Sequence, residues 1–296
     1  MKKTLLGVAL LSLPLWAWAK LPVIASFSIV ADMTREIGGD RVEVVSLVGP
    51  NQDAHVFQPA PADVKRLAAA KVFVVNGLGF EGWMGRLTRS AGFKGTLIEA
   101  SKGIQPLMVE EHGVEEHGHQ HGGVDPHAWQ DPERVQTYIK NIAEGLSKAD
   151  PEGQAVYRQR AADYGRRVSE MDQWAAKAFA AVPAVQRKVL TSHDAFAYLG
   201  KRYGIQLLSP QGVSTDTEAS AKAVAMLVRQ VKKEKVKAIF FENMSDKRLL
   251  EQLAREANVK AGAALYADAL SAPNGPANSY LALFRYNVDT ILKSFR

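Results

Sequence analysis

Cysteine is absent from this 296-residue chain. Its absence excludes disulfides, thiolate metal ligands and a cysteine-linked lipid anchor. No stretch beyond the N-terminus is apolar enough to span a bilayer, which takes about 20 residues. No basic stripe interleaved with aromatics occurs, and the net charge of +6 falls by two if Lys2 and Lys3 are lost with a leader. Nucleic acid is therefore not an expected partner. The H-E-x-x-H pattern of zinc hydrolases is also missing, as is any other compact hydrolase signature, so no enzyme activity is expected.

What is present begins with a leader. Lys2 and Lys3 precede an apolar run from Leu5 to Trp16, followed by Ala17-Trp18-Ala19 before Lys20. A positive start, a short apolar core and a small-x-small site make a cleavable signal peptide over residues 1–19. The expected product is a soluble, unlipidated protein of a bacterial periplasm. Its apolar fraction of 47% and charged fraction of 23% are those of an ordinary globular protein.

The remainder alternates short apolar runs with amphipathic stretches. Strands are predicted at 22–27, 42–48, 71–75 and 96–99, with helices at 28–37, 61–70 and 134–146 between and after them. From 151 to 181 the pattern changes. Tyr157, Ala161, Tyr164, Val168, Met171, Ala175 and Phe179 recur at three- and four-residue steps, with no proline before Pro183. The spacing predicts one long helix. Strands at 188–191, 238–241 and 260–266 and helices at 195–203, 219–233, 245–257 (Ser245 as N-cap) and 280–295 then restore the rhythm. The βα alternation argues for parallel sheets covered by helices. The expected architecture is α/β: an N-terminal lobe over 20–150, a rigid linker helix over 151–182 and a C-terminal lobe over 183–296.

The seven histidines carry most of the functional information. His112, His117, His119 and His121 lie in the glycine-rich segment 110–123 beside Glu110, Glu111, Glu115 and Glu116. Such a composition cannot build a core and suits a loop that holds divalent metal weakly. Imidazole favours zinc, copper and nickel over magnesium or calcium. His55, His127 and His193 are scattered, but each follows a predicted strand. The carboxyl ends of strands in a parallel sheet face the ligand crevice, so the three rings can converge there. A single such histidine is commonly structural, but no other histidine remains in the chain. With no thiolate available, the fourth ligand should be a carboxylate. Asp268 ends the last predicted strand and is the first choice; Asp53, Asp125, Asp194 and Glu242 compete with it. The aspartates beside histidines have a second reading, as groups that orient the rings or cap helices.

These residues resemble a known family. Ser26-Phe27-Ser28-Ile29, Val48-Gly49-Pro50 through Asp53-Ala54-His55 to Phe57-Gln58-Pro59, Asn76-Gly77-Leu78-Gly79-Phe80-Glu81, Asp125-Pro126-His127-Ala128-Trp129 and Ser192-His193-Asp194-Ala195-Phe196 are similar to segments of the cluster A-I solute-binding proteins that serve zinc and manganese ABC importers. The resemblance runs across essentially the whole mature chain. It implies two (β/α) lobes bridged by a rigid helix, an ion bound by His55, His127, His193 and Asp268, and a membrane permease as partner; a monomer is expected. Manganese-type members usually carry glutamate where His193 stands, so zinc is the expected cargo. Asp268 leaves manganese open, and a periplasmic zinc buffer without a transporter is the further alternative. Binding should weaken below pH about 6.5, where free imidazole takes a proton.

Overall fold

The computed structural model describes residues 19–108, 123–210, 212–215, 221–236, 238–244 and 247–295. Residues 1–18 of the expected leader, the four clustered histidines and Ser245 lie outside the described residues.

Two four-stranded sheets, each wholly parallel, organise the chain. The first contains β1 (Leu21–Phe27), β2 (Val42–Val48), β3 (Val72–Val75) and β4 (Thr96–Glu99) in the order β2-β1-β3-β4. The second repeats the pattern with β5 (Lys188–Leu190), β6 (Gln206–Leu208), β7 (Ala238–Glu242) and β8 (Ala261–Leu265) in the order β6-β5-β7-β8. In both, the strand order reverses between the first and third strands, and ligands of open α/β sheets bind beyond the carboxyl ends at such a reversal. β3 is buried along its whole length and its sequence is VFVV, as a strand covered on both faces requires.

Helices follow the strands. α1 (Ser28–Gly38), α2 (Pro61–Ala69), α3 (Met84–Ala91) and α4 (Pro132–Ala149) belong to the first half, and α6 (Ala197–Tyr203), α7 (Ala221–Glu234), α8 (Lys247–Ala257) and α9 (Tyr280–Ser294) to the second. α4 starts where the sequence dictates. The Asp131 carboxylate accepts the Glu133 N–H at 3.0 Å, and Pro132 fills the first turn. Gly145 lets α4 close on β4, because a Cβ there would lie 2.3 Å from Ile98 Cδ1.

Between the halves runs α5 (Gln154–Ala180), 27 residues and about 40 Å long. Its buried side carries Tyr157, Tyr164, Val168, Met171, Ala175 and Phe179, the stripe read from the sequence. This stripe packs on α1, α4, α6 and α9. One apolar core therefore runs from β1 through α5 to Phe284 and Ile291 of α9, while a smaller one lies between α7, α8 and β7. No helix among the described residues is long and apolar enough to cross a membrane.

Two elements were not anticipated. α3 has polar composition and buries only Leu87, and β6 is three residues, of which Gln206 is exposed and Leu207 and Leu208 are half-buried. Neither displays the apolar periodicity on which a sequence reading depends.

Candidate metal centre

Each of the four residues sits on a short segment just past a strand or bridge, fixed by local bonds. His55 follows β2 in a turn where Asp53 Oδ1 accepts the His55 N–H at 2.9 Å. The indole of Trp83 donates to the Ala54 carbonyl at 2.8 Å, and Phe80 meets the His55 ring edge-on at 4.6 Å. His127 follows a bridge between Met108 and Val124. Asp125 Oδ1 accepts both its backbone N–H (2.9 Å) and its ring Nδ1–H (2.8 Å). That bond places the proton on Nδ1 and leaves the Nε2 lone pair free.

His193 comes three residues after β5, and Glu242 closes the neighbouring strand β7. Glu242 Oε1 accepts the His193 N–H at 3.0 Å and Oε2 accepts its Nδ1–H. Again Nε2 is left to face the crevice. Asp268 follows β8 between Ala267 and Ala269, both fully buried. The Ala267 carbonyl is held by the indole N–H of Trp129 (3.0 Å) and the amide of Gln130 (2.9 Å).

The four residues converge between the two sheets. Their ligand atoms lie within 4.8 Å of one another. His55 Nε2 is 3.3 Å from His127 Nε2 and 3.3 Å from Asp268 Oδ2. His127 Nε2 is 3.5 Å from Asp268 Oδ1, and His193 Nε2 is 3.2 Å from Asp268 Oδ2. A tetrahedron built on bonds of 2.0–2.1 Å has edges of about 3.3–3.4 Å. His127, His193 and Asp268 are fully buried, and the His55 side chain is 5% exposed. His193 Nε2 and both Asp268 oxygens make no hydrogen bond despite their burial. Buried polar atoms without partners are costly, and a cation at their common centre satisfies all of them.

The electrostatics tell the same story. Burial pulls the His127 imidazole down, but Asp268 and Asp125 outweigh it and lift the group to about 9. For His193, burial is likewise outweighed by Glu242 and Asp268, and the ring is raised well above the ordinary value. Burial would raise Asp268, yet His127 and His193 hold it well below the usual carboxylate range. Asp268, Asp125 and Glu242 thus make the centre attractive to positive charge.

Asp268 is the carboxylate that joins the three rings; its rivals do other things. Asp125 and Glu242 orient His127 and His193, Asp53 supports the His55 turn, and Asp194 donates its backbone N–H to Gly212. Both Glu242 oxygens are committed to His193, which gives it an orienting role. Sequence reasoning missed Trp129, Gln130, Tyr198 and Thr215. Trp129 stood in a quoted motif without a role; the others act through one or two hydrogen bonds that leave no pattern.

Residues 23–294 match the family described as zinc-uptake complex component A, periplasmic (ZnuA). The chain belongs to that family. As a member it is a metal-binding solute-binding protein of the ABC-importer type. The periplasmic zinc binding protein TroA of Treponema pallidum superimposes with a TM-score of 0.86 at 28% identity, covering 94% of this chain and 99% of that one. The manganese ABC transporter substrate-binding lipoprotein PsaA of Streptococcus pneumoniae is 30% identical over 278 residues, 92% of this chain and 88% of that one. The iron-binding protein YfeA of Yersinia pestis is 29% identical over 276 residues, 93% and 86% of the two chains.

Proposed function

We propose that this family member binds a single Zn²⁺ through His55, His127, His193 and Asp268 in the periplasm and delivers it to the permease of an ABC importer. Lobes over 20–150 and 183–296, joined by the helical segment 151–182, each supply two ligands, so the ion bridges them. The observation that carries the reading is the meeting of three imidazole Nε2 atoms and one carboxylate at spacings of 3.2–3.5 Å. Three nitrogen donors and one oxygen favour zinc, whereas manganese prefers more oxygen ligands and a higher coordination number. Relatives named for zinc, manganese and iron are about equally similar, so the donor set argues the cargo and their names do not.

Manganese is the second reading. It is favoured by Asp268, whose two oxygens both face ring nitrogens and can bind side by side, giving five-coordination.

Protein stripped with a chelator and refilled from an equimolar Zn²⁺/Mn²⁺ mixture at pH 7.5 separates the two. One equivalent of zinc with manganese below a tenth is expected. Equal or dominant manganese overturns the zinc reading. No stoichiometric metal of either kind overturns the site.

A further inference from the structure

Three of the four donors are aimed by hydrogen bonds from the lobe to which they do not belong. Tyr198, on α6 of the C-terminal half, donates its hydroxyl to the Asp125 carbonyl at 2.9 Å and accepts the Leu107 N–H at 3.0 Å. Asp125 is the residue whose side chain sets the His127 ring, and Leu107 pairs with it through the Asp125 N–H at 2.9 Å. Thr215, also of the C-terminal half, donates to Asp53 Oδ2 at 2.8 Å, while the other oxygen of Asp53 holds the His55 N–H. In the opposite direction, Trp129 and Gln130 of the N-terminal half hold the carbonyl that precedes Asp268. His193 is oriented by Glu242 of its own half.

We propose that Tyr198 and Thr215 are positioning residues for the ion: each reaches across from the C-terminal lobe to fix a carboxylate-bearing segment behind His127 or His55. This rests on the reading of the cleft as the metal centre. Ligand aim at such a site is set by the groups behind the ligands. Because these groups cross the seam, donor geometry and lobe docking are one variable. A small slide of one lobe over the other breaks both hydroxyl bonds and turns two imidazoles away from the ion without unfolding either lobe. That is a route by which a permease gripping both lobes can make a tight site let go.

The test is zinc release from the full chain into excess chelator, followed by stopped flow, with Co²⁺ spectra reporting donor geometry. Y198F keeps the buried ring and loses only the hydroxyl; T215V keeps the shape and loses the donor; T215S retains it. Y198F and T215V should each release zinc about three- to tenfold faster, the worth of one neutral hydrogen bond. Their Co²⁺ bands should shift, and T215S should stay within about twofold of the unmodified protein. Unchanged release in Y198F and T215V overturns the proposal. So does faster release with an unchanged Co²⁺ spectrum, or equal acceleration in T215S. H127A separates this from the site reading: if H127A binds zinc as tightly as the unmodified chain, the cleft is not the metal centre at all.

Discussion

At the residue scale, the centre is a proton trap as much as an ion trap. His127, lifted to about 9, and His193, raised well above the ordinary imidazole value, favour their protonated forms at neutral pH in the metal-free protein. Those protons must leave before the ring nitrogens can bind a cation. The sign follows. Affinity rises as pH climbs from the free-imidazole value near 6.5 toward about 9, so competition extends well above the limit expected from the sequence. In the metal-free protein the raised His127 contributes stability that is fully present below about 6.5 and is lost as pH rises through about 9. Exchanging one dication for two protons leaves the buried charge unchanged. Calorimetric titration at pH 7.5 in buffers of different ionisation enthalpy should show one to two protons released per zinc; zero would contradict the raised imidazoles. His55 and His193 were legible because each followed a strand in a chain with no thiolates, whereas His127 follows only an isolated bridge. Their lifted basicity was not, since it depends on Asp268, Asp125 and Glu242 arriving at distances that no spacing in the sequence encodes.

At the element scale, the strand ends do the assembling. His193 and Glu242 meet because β5 and β7 are neighbours in the second sheet, and the order of strands explains a pairing 49 residues apart. The histidine-rich segment enters the same logic at its feet, where Met108 bridges Val124 and Leu107 pairs with Asp125. His112, His117, His119 and His121 lie beyond that stem in sequence. Deleting residues 112–121 should leave one tight zinc site with affinity changed less than about threefold and remove weaker ones, as isothermal titration would reveal. Loss of the tight site would mean that the segment itself provides a ligand. Long, strongly periodic elements such as α5 were readable from the chain alone. α3 and β6 were not, because short elements that bury one or a few side chains are specified by what packs on them and not by their own pattern.

At the scale of the whole molecule, the proposed ion is a cross-link. It takes two ligands before α5 and two after it, so binding should stabilise both halves together. Free zinc at 1,000 times its dissociation constant adds about 4 kcal/mol to the folded state. Calorimetry should then show the whole transition moving up by several degrees. If the protein melts in two steps and zinc moves only one, the ion does not span the seam. The two-lobed plan itself was visible in the restarted βα rhythm. The extent to which the lobes share a core was not, because Phe284, Ile291 and the rest of α9 join the first half's core through packing that sequence order does not disclose.

Trp129 stands where these scales meet. Its ring lies 5.1 Å from that of His127, its N–H holds the carbonyl before Asp268, and its own carbonyl accepts the Tyr280 hydroxyl. An excited indole loses its light to a neighbouring protonated imidazole and keeps it beside a neutral one. Emission from this buried ring should therefore brighten as zinc displaces the His127 proton, and W129F should abolish the change. The protein carries its own lamp for cargo occupancy, one that can be watched through loading and unloading without any attached dye.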